Sequence, residues 1–124
     1  MFVLSSCIST KVTQAMRRIV SARWSRLLTS GDAPFARSSH RLTAIGGRAY
    51  LYGGEQTARY AIGSAVHCLD TAAARWQTIE PAHTPPPRVG HAQAAVNDKL
   101  FVFGGRSGVE MGECELDDLW EFDP

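Results

Sequence analysis

The sequence has few of the features that would place it in a membrane, on a nucleic acid or in a disulfide-bonded scaffold. Its 124 residues include 13 Lys and Arg against 12 Asp and Glu, a formal net charge of +1. A charge so close to zero gives no electrostatic reason to expect a nucleic acid or a membrane surface as partner. No apolar run approaches the length of a transmembrane helix. We therefore expect one small globular domain.

Cysteine is scarce, and its pattern excludes the usual structural uses. The three cysteines are an odd number and lack metal-ligand spacing: Cys7, Cys68 and Cys114. Free thiols in a reducing compartment fit this pattern better than a disulfide framework does. The sequence thus predicts a cytoplasmic protein with no bound metal and no cofactor.

Acidic residues are absent from residues 1–31, which carry five basic ones. Apolar residues from Leu4 to Ile19 fall at helical spacing, and serines lie between them. A mitochondrial presequence has this amphipathic, basic, acid-poor composition. The alternative is an ill-ordered extension, and both stay open. We expect some helix between about residues 11 and 20, and we separate an N-terminal extension (1–22) from the domain proper (23–124).

The rest of the sequence repeats itself at a period of 51 residues. The matching pairs are Arg37 and Arg88, His40 and His91, Tyr50 and Phe101, and Gly53 and Gly104. Self-similarity at a fixed period of this size indicates a repeat architecture.

Each repeat predicts a series of β-strands. In the first unit they span about residues 40–45, 49–52, 65–69 and 76–79, and in the second about 91–96, 99–103 and 118–122. Asn97-Asp98 suits a hairpin turn because both residues tolerate positive φ. Short connections between consecutive strands predict antiparallel meanders. Trp24 lies 52 residues before Trp76, so residues 23–28 are expected to form an isolated strand and residues 29–33 a loop.

A unit of about 50 residues with Gly-Gly after its second strand and Trp in its fourth resembles the kelch repeat, whose units are blades of a β-propeller. Tyr50 to Gly54 and Phe101 to Gly105 both carry this pattern. The resemblance implies an all-β partial propeller: blade 1 at about residues 37–80, a three-stranded blade 2 at about 88–124, and one isolated strand. Structural roles are expected for six residues: Trp24, Gly53, Gly54, Trp76, Gly104 and Gly105.

The opening from Trp24 to His40 is similar to that of nitrile-specifier and epithiospecifier proteins. Family resemblance implies that the isolated strand completes the last blade, and that specifier proteins hold iron through a Glu-x-x-x-Asp-x-x-x-His motif. Here Glu113, Asp117 and Glu121 share the spacing, but the third position is Glu instead of His. We expect Glu121 to point to solvent, and we predict no metal site.

The number of repeats is low for a propeller, which closes with about four to eight blades. One full blade and most of a second leave two blade faces and the edge at Glu121-Phe122 open. Exposed faces and edges invite association. The sequence therefore predicts the N-terminal fragment of a longer propeller or a subunit that assembles with others.

The candidate binding residues lie in the loops before strand one and after strand two, which the resemblance places at one mouth of the channel. They are Arg37, Ser38, Ser39, Arg88 and Arg106. Convergent arginines favour carboxylate or phosphate groups. The alternative is that Arg37 and Arg88 satisfy loop carbonyls, because the arginine recurs in both repeats. Arg106 has no counterpart in the first repeat, where Glu55 follows the glycines, so it is the better binding candidate.

No nucleophile elbow, phosphate loop or acid–base carboxylate pair is present in the sequence, so we predict no catalytic residue. The leading function is a kelch module that binds a protein partner, by fold-level analogy. The alternative is a specifier-like non-haem iron protein acting on thioglucoside breakdown products. A non-functional gene product is a third interpretation.

Overall fold

The computed structural model describes residues 22–110 and 113–124. Within these ranges the chain forms ten β-strands and no helix, which confirms the all-β prediction. The helix expected near residues 11–20, with nearly all of the predicted extension, lies outside the described residues. In the described ranges we find no helix with the length and apolar character needed to cross a bilayer.

Blade 1 is a five-stranded sheet in the order β1-β7-β6-β3-β2, and blade 2 is a three-stranded sheet in the order β10-β9-β8. A small hairpin, β4-β5, follows the first double glycine. The strands are β1 (Ser30–Gly31), β2 (Arg41–Ile45), β3 (Arg48–Tyr52), β4 (Glu55–Thr57), β5 (Tyr60–Ala61), β6 (Val66–Asp70), β7 (Arg75–Ile79), β8 (Ala92–Val96), β9 (Lys99–Phe103) and β10 (Leu119–Phe122).

Both blades are antiparallel meanders, as the short connections predicted. Asn97 and Asp98 have φ values of 50° and 61° between β8 and β9. Positive φ at both central residues is the geometry that a two-residue hairpin requires. In blade 2, β10 pairs with β9 and forms the outer edge of the sheet.

Two local predictions near the start of the domain are corrected: residues 23–28, predicted as an isolated strand, carry no strand, and a two-residue strand, β1, lies at Ser30–Gly31 within the predicted loop 29–33. Ser30 donates its backbone N–H to Ala74 at 3.0 Å and Asp32 donates to Trp76 at 3.1 Å, so β1 runs parallel to the edge strand β7. Residues 22–29 pair with no strand in the part of the chain that the structure describes, and Trp24 is 101% exposed. Alternation of apolar and polar residues predicts a strand only where another strand is available to pair with it.

The core lies between the two blades. Tyr50, Tyr52, Val66 and Cys68 of blade 1 pack against Leu100 and Val102 of blade 2, and Ile45, Ile79, Trp120 and Phe122 complete the cluster. Because side chains alternate across a strand, Tyr50 and Tyr52 point towards blade 2 while Leu51 points away. The inter-blade contact thus depends on the second strand of each repeat.

Candidate functional site at the mouth of the blades

The loops predicted to border one mouth lie side by side. Ser38 and Glu55 exchange backbone hydrogen bonds of 2.9 and 3.0 Å, and Val89 and Arg106 exchange two of 3.0 Å at the equivalent position of blade 2. Gly90 donates its N–H to the Ser39 carbonyl at 3.2 Å, which links the loop before the first strand of blade 2 to the equivalent loop of blade 1. The structure therefore brings Ser38, Ser39 and Arg106 into one region.

Arg88 lies in the interior and not at the surface of this region. Its side chain is fully buried and makes two hydrogen bonds to the Asp118 carboxylate, at 2.6 and 2.9 Å. It also donates to the carbonyls of Gly104 at 2.9 Å and Pro86 at 3.2 Å. The guanidinium holds the pKa of Asp118 at about 2, mainly through these hydrogen bonds. Asp118 and Gly104 belong to blade 2 and Pro86 to the linker before it, so the observed contacts are those of a scaffold residue. Ligand binding by Arg88 stays a prediction.

Arg37 repeats part of this arrangement in blade 1. It donates to the carbonyls of Phe35 and Gly53, each at 3.2 Å, and its third contact is His67 Nε2 at 3.3 Å. His67 Nδ1 lies 3.2 Å from the Thr78 hydroxyl. Burial, and then the charge of Arg37, lower the pKa of His67. A neutral imidazole that accepts from Arg37 at Nε2 satisfies both contacts.

The double glycine allows the blades to approach each other. Gly53 has φ of 67°, and a Cβ there would lie 2.6 Å from the Arg88 carbonyl oxygen and 2.7 Å from His91 Cε1. The edge of the His91 ring packs against Tyr52, with centroids 5.5 Å apart. The other glycines of the two pairs, Gly54, Gly104 and Gly105, also have positive φ. Trp76, for which a structural role was also predicted, is partly buried in β7.

Glu55 and Arg106 give the mouth two opposite charges at equivalent positions. The Glu55 carboxylate accepts a hydrogen bond from the Ser39 hydroxyl at 2.7 Å. That bond, the Arg59 backbone N–H and the charge of Arg106 lower the pKa of Glu55. Within residues 22–110 and 113–124, the side chain of Arg106 makes one hydrogen bond, to the Gly108 carbonyl at 2.8 Å, and Arg106 is partly exposed. The guanidinium has further N–H groups that could donate hydrogen bonds to a carboxylate or a phosphate.

Two contributors were missed from the sequence, Glu55 as a partner of the mouth serines and Asp118 as the partner of Arg88. Glu55 was noted only as the residue opposite Arg106 in the repeat. Asp118 is 30 residues from Arg88. His67 lies at the same interval from Arg37, although strand pairing aligns His67 with Trp120 and not with Asp118. The equal interval was the available signal.

Comparison with known proteins agrees with the repeat pattern and the blade geometry. The family model described as "KLHDC2/KLHL20/DRC7 Kelch-repeats domain" matches residues 9–124. The chain belongs to the kelch-repeat family. The kelch assignment explains the paired double glycines and the meander topology of both sheets, and the structure is that of a partial kelch propeller.

Three relatives similar to this chain are much longer than it. Tip elongation aberrant protein 1 of Schizosaccharomyces pombe is 30% identical over 82% of this chain and 9% of its own length. Acyl-CoA-binding domain-containing protein 6 of rice is 36% identical over 68% of the chain and 13% of its own length. The N-(sulfonatooxy)prop-2-enimidothioate sulfolyase of Thlaspi arvense is 31% identical over 87% of the chain and 31% of its own length. The chain thus spans less than a third of each.

The residues that share the iron-motif spacing do not fit an iron site. Glu121 points to solvent, as predicted, and its carboxylate lies 2.6 Å from Lys99 Nζ. Among residues 22–110 and 113–124, no three His, Cys, Asp or Glu side chains converge as metal ligands. We therefore derive no chemistry through iron for this chain.

Proposed function

We propose that this chain is a kelch protein-interaction module that binds a partner at the mouth of its blades, without catalysis. The observation that carries the proposal is the arrangement of Arg106 beside Ser38, Ser39 and Glu55. The arginine replaces the glutamate of the preceding repeat. Scaffold residues recur from blade to blade, whereas a ligand contact does not need to. The mouth therefore combines residues that recur in both blades with one cationic residue, Arg106, that does not recur.

The partner segment that fits this mouth carries a carboxylate. A guanidinium binds a carboxylate with two parallel hydrogen bonds, and charge-assisted bonds are the stronger class. The mouth serines supply hydroxyls that can donate or accept next to it. Self-association at the open blade faces is a separate matter, and nucleic acid and membrane are not proposed as partners.

An array of immobilised peptides rich in Asp and Glu, with Asn and Gln versions of the same peptides, tests the proposal. We expect binding to the acidic set that weakens with salt and is lost in Arg106→Ala. Lys99→Ala is the matched control: it removes one positive charge at the β8-β9 turn, at the opposite end of blade 2. Equal loss in the two variants, or equal binding to the neutral peptides, would contradict a site at Arg106.

Two finer aspects belong to the same proposal. The free thiols of Cys68 and Cys114 favour a reducing, cytoplasmic location over the mitochondrial alternative. We also propose that the full propeller needs further kelch blades, supplied by a longer product or by assembly. Targeting by the first 22 residues is tested by fusing them to a fluorescent protein; mitochondrial import would overturn the cytoplasmic assignment.

The specifier-like alternative is supported by the Thlaspi arvense relative, a sulfolyase by name. Metal analysis of the full-length protein separates the two functions. Iron in near-stoichiometric amount favours the alternative, and its absence from protein grown with iron favours the interaction module.

A further inference from the structure

A fully buried imidazole, that of His91, lies at the contact between the two blades. Its ring packs edge-on against Tyr52 of blade 1, with centroids 5.5 Å apart. A Cβ on Gly53 would lie 2.7 Å from His91 Cε1, so the ring also fills the space beside the first double glycine. Within residues 22–110 and 113–124, neither ring nitrogen has a hydrogen-bond partner. A buried polar group in this state is costly, and it points to a role other than packing.

The charged groups that face His91 oppose a positive charge on its ring. Burial lowers the pKa of His91 most, and the charges of Arg41 on β2, of Arg88 in the preceding loop and of His40 before β2 lower it further. A hydrogen bond with the Gln93 amide of β8 acts in the opposite direction and does not overcome them. The closed contact therefore favours the neutral imidazole.

The other titratable neighbours supply no counter-charge. Burial raises the pKa of Tyr52 to about 12, so the phenol that packs on His91 stays neutral. The Asp118 carboxylate already accepts two hydrogen bonds from Arg88. A proton on His91 thus meets cations and a neutral phenol in the part of the chain that the structure describes.

The loop of residues 88–91 is joined to blade 1 by few polar contacts and to blade 2 by strong ones. Gly90 donates to the Ser39 carbonyl at 3.2 Å, and Gly54 donates to the Arg88 carbonyl at 3.0 Å. On the other side, the Arg88 side chain is paired with Asp118 inside blade 2. The contact of this loop with blade 1 is therefore weaker than the strand ladders within either sheet.

We propose that protonation of His91 is a switch that releases loop 88–91 from blade 1, so that acidification opens the mouth while both sheets stay folded. Opening exposes the imidazolium to water, which solvates the charge. Val89 exchanges two hydrogen bonds of 3.0 Å with Arg106, so Arg106 moves with the loop and away from Ser39. Release of a ligand from the mouth rests on the proposed function, whereas the opening itself does not.

The pH range of the switch follows from the sign of the shift. The closed contact holds the pKa of His91 below its ordinary value of 6.5, so the open state binds the proton more tightly. The contact is therefore fully stable above pH 6.5 and weakens as the pH falls below it. For one proton, the opening equilibrium increases by up to about tenfold per pH unit.

Amide hydrogen exchange of the full-length protein, followed by NMR, tests the proposal. Protection is measured relative to an unstructured peptide at the same pH. The reporters are the amides of Gly54 and Gly90, which donate across the contact, and the controls are Thr71 and Gly104, which donate within blade 1 and within blade 2. We expect protection of the reporters to fall by up to about tenfold between pH 7.5 and 5.5, and that of the controls to change little.

Two variants assign the effect to His91. His91→Phe keeps a ring against Tyr52 and removes the titrating group, so the reporters should stay protected at pH 5.5. His91→Gln is the second variant in case the phenyl ring packs poorly. His83→Gln, at an exposed histidine of the linker, is the matched control and should behave as the wild type does. Wild-type reporters that stay protected at pH 5.5, equal loss at reporters and controls, or a loss that persists in both His91 variants would each overturn the proposal.

Binding of the acidic peptides gives a separate readout at the mouth. Asp and Glu side chains remain ionised at pH 5.5, so the peptide keeps its charge across the range. We expect the wild-type affinity to weaken by up to about tenfold from pH 7.5 to 5.5 and the His91→Phe affinity to stay constant. Equal pH dependence in the two proteins would contradict the coupling of His91 to the mouth. Absence of peptide binding at every pH would count against the proposed function, and amide exchange then decides the switch, because it needs no ligand.

Discussion

Replacing Asp118 with Asn tests the pairing that holds Arg88 in the interior of blade 2. The substitution keeps the size of the side chain and removes its charge, which leaves the fully buried guanidinium without a counter-charge. Removing one partner of a buried pair costs far more than losing an exposed one. We therefore expect Asp118→Asn to lower the free energy of unfolding at neutral pH.

The size of the effect follows from the pKa of Asp118. The native pKa is about 2 against an ordinary value of 3.8. At about 1.4 kcal/mol per pKa unit the difference corresponds to about 2.4 kcal/mol. The carboxylate side chain is 35% exposed, so solvent screening reduces the expected loss to about 1–2 kcal/mol.

The pH dependence gives the sign. Because the native pKa lies below the unfolded one, the stabilisation is complete above pH 3.8 and is lost as the pH falls towards 2. Urea unfolding of both proteins between pH 2 and 7, at a concentration where the wild type is monomeric, should show two curves that converge at low pH. Glu121→Gln, at the exposed pair with Lys99, is the control and should change little. Curves that remain parallel down to pH 2, or that coincide at pH 7, would refute the role assigned to Asp118.

Three further substitutions address the contact between the blades. Gly53→Ala should destabilise the protein severely, because its Cβ would lie 2.6 Å from the Arg88 carbonyl; Gly47→Ala, with open space around it, should not, and thermal unfolding compares them. The Tyr52 hydroxyl donates to the carbonyls of Pro85 at 2.9 Å and Pro86 at 3.1 Å, so Tyr52→Phe should cost about 1 kcal/mol in urea unfolding; an unchanged midpoint would contradict a stabilising role for this hydroxyl. Burial lowers the pKa of His91, so the unfolded chain binds the proton first and stability should fall as the pH drops below about 6.5. His91→Gln should flatten this slope, and an equally steep variant would show that another group is responsible.

The repeat carried the information that locates the loops of the candidate site. The period placed Ser38 and Ser39 before the first strand of blade 1 and Arg106 after the second strand of blade 2, and the structure brings these two kinds of loop side by side; binding by these residues stays a prediction. It did not reveal that Arg88 would be buried, because burial depends on the neighbouring blade and on Asp118, which lies in a later strand. The charge of Glu55 at the mouth was likewise visible as a residue but not as a neighbour of Ser39.

The sequence by itself determined the architecture of this chain. The alternation within each strand and the turn residues at 97 and 98 are local signals that act over a few residues. The 51-residue period shows that such signals recur, and together they specify kelch blades. Only the tertiary structure decided which arginine is buried and where the short extra strand lies. Those outcomes depend on which surfaces meet: within the described ranges residues 23–28 pair with no strand edge, whereas Ser30–Gly31 pairs with the edge of β7.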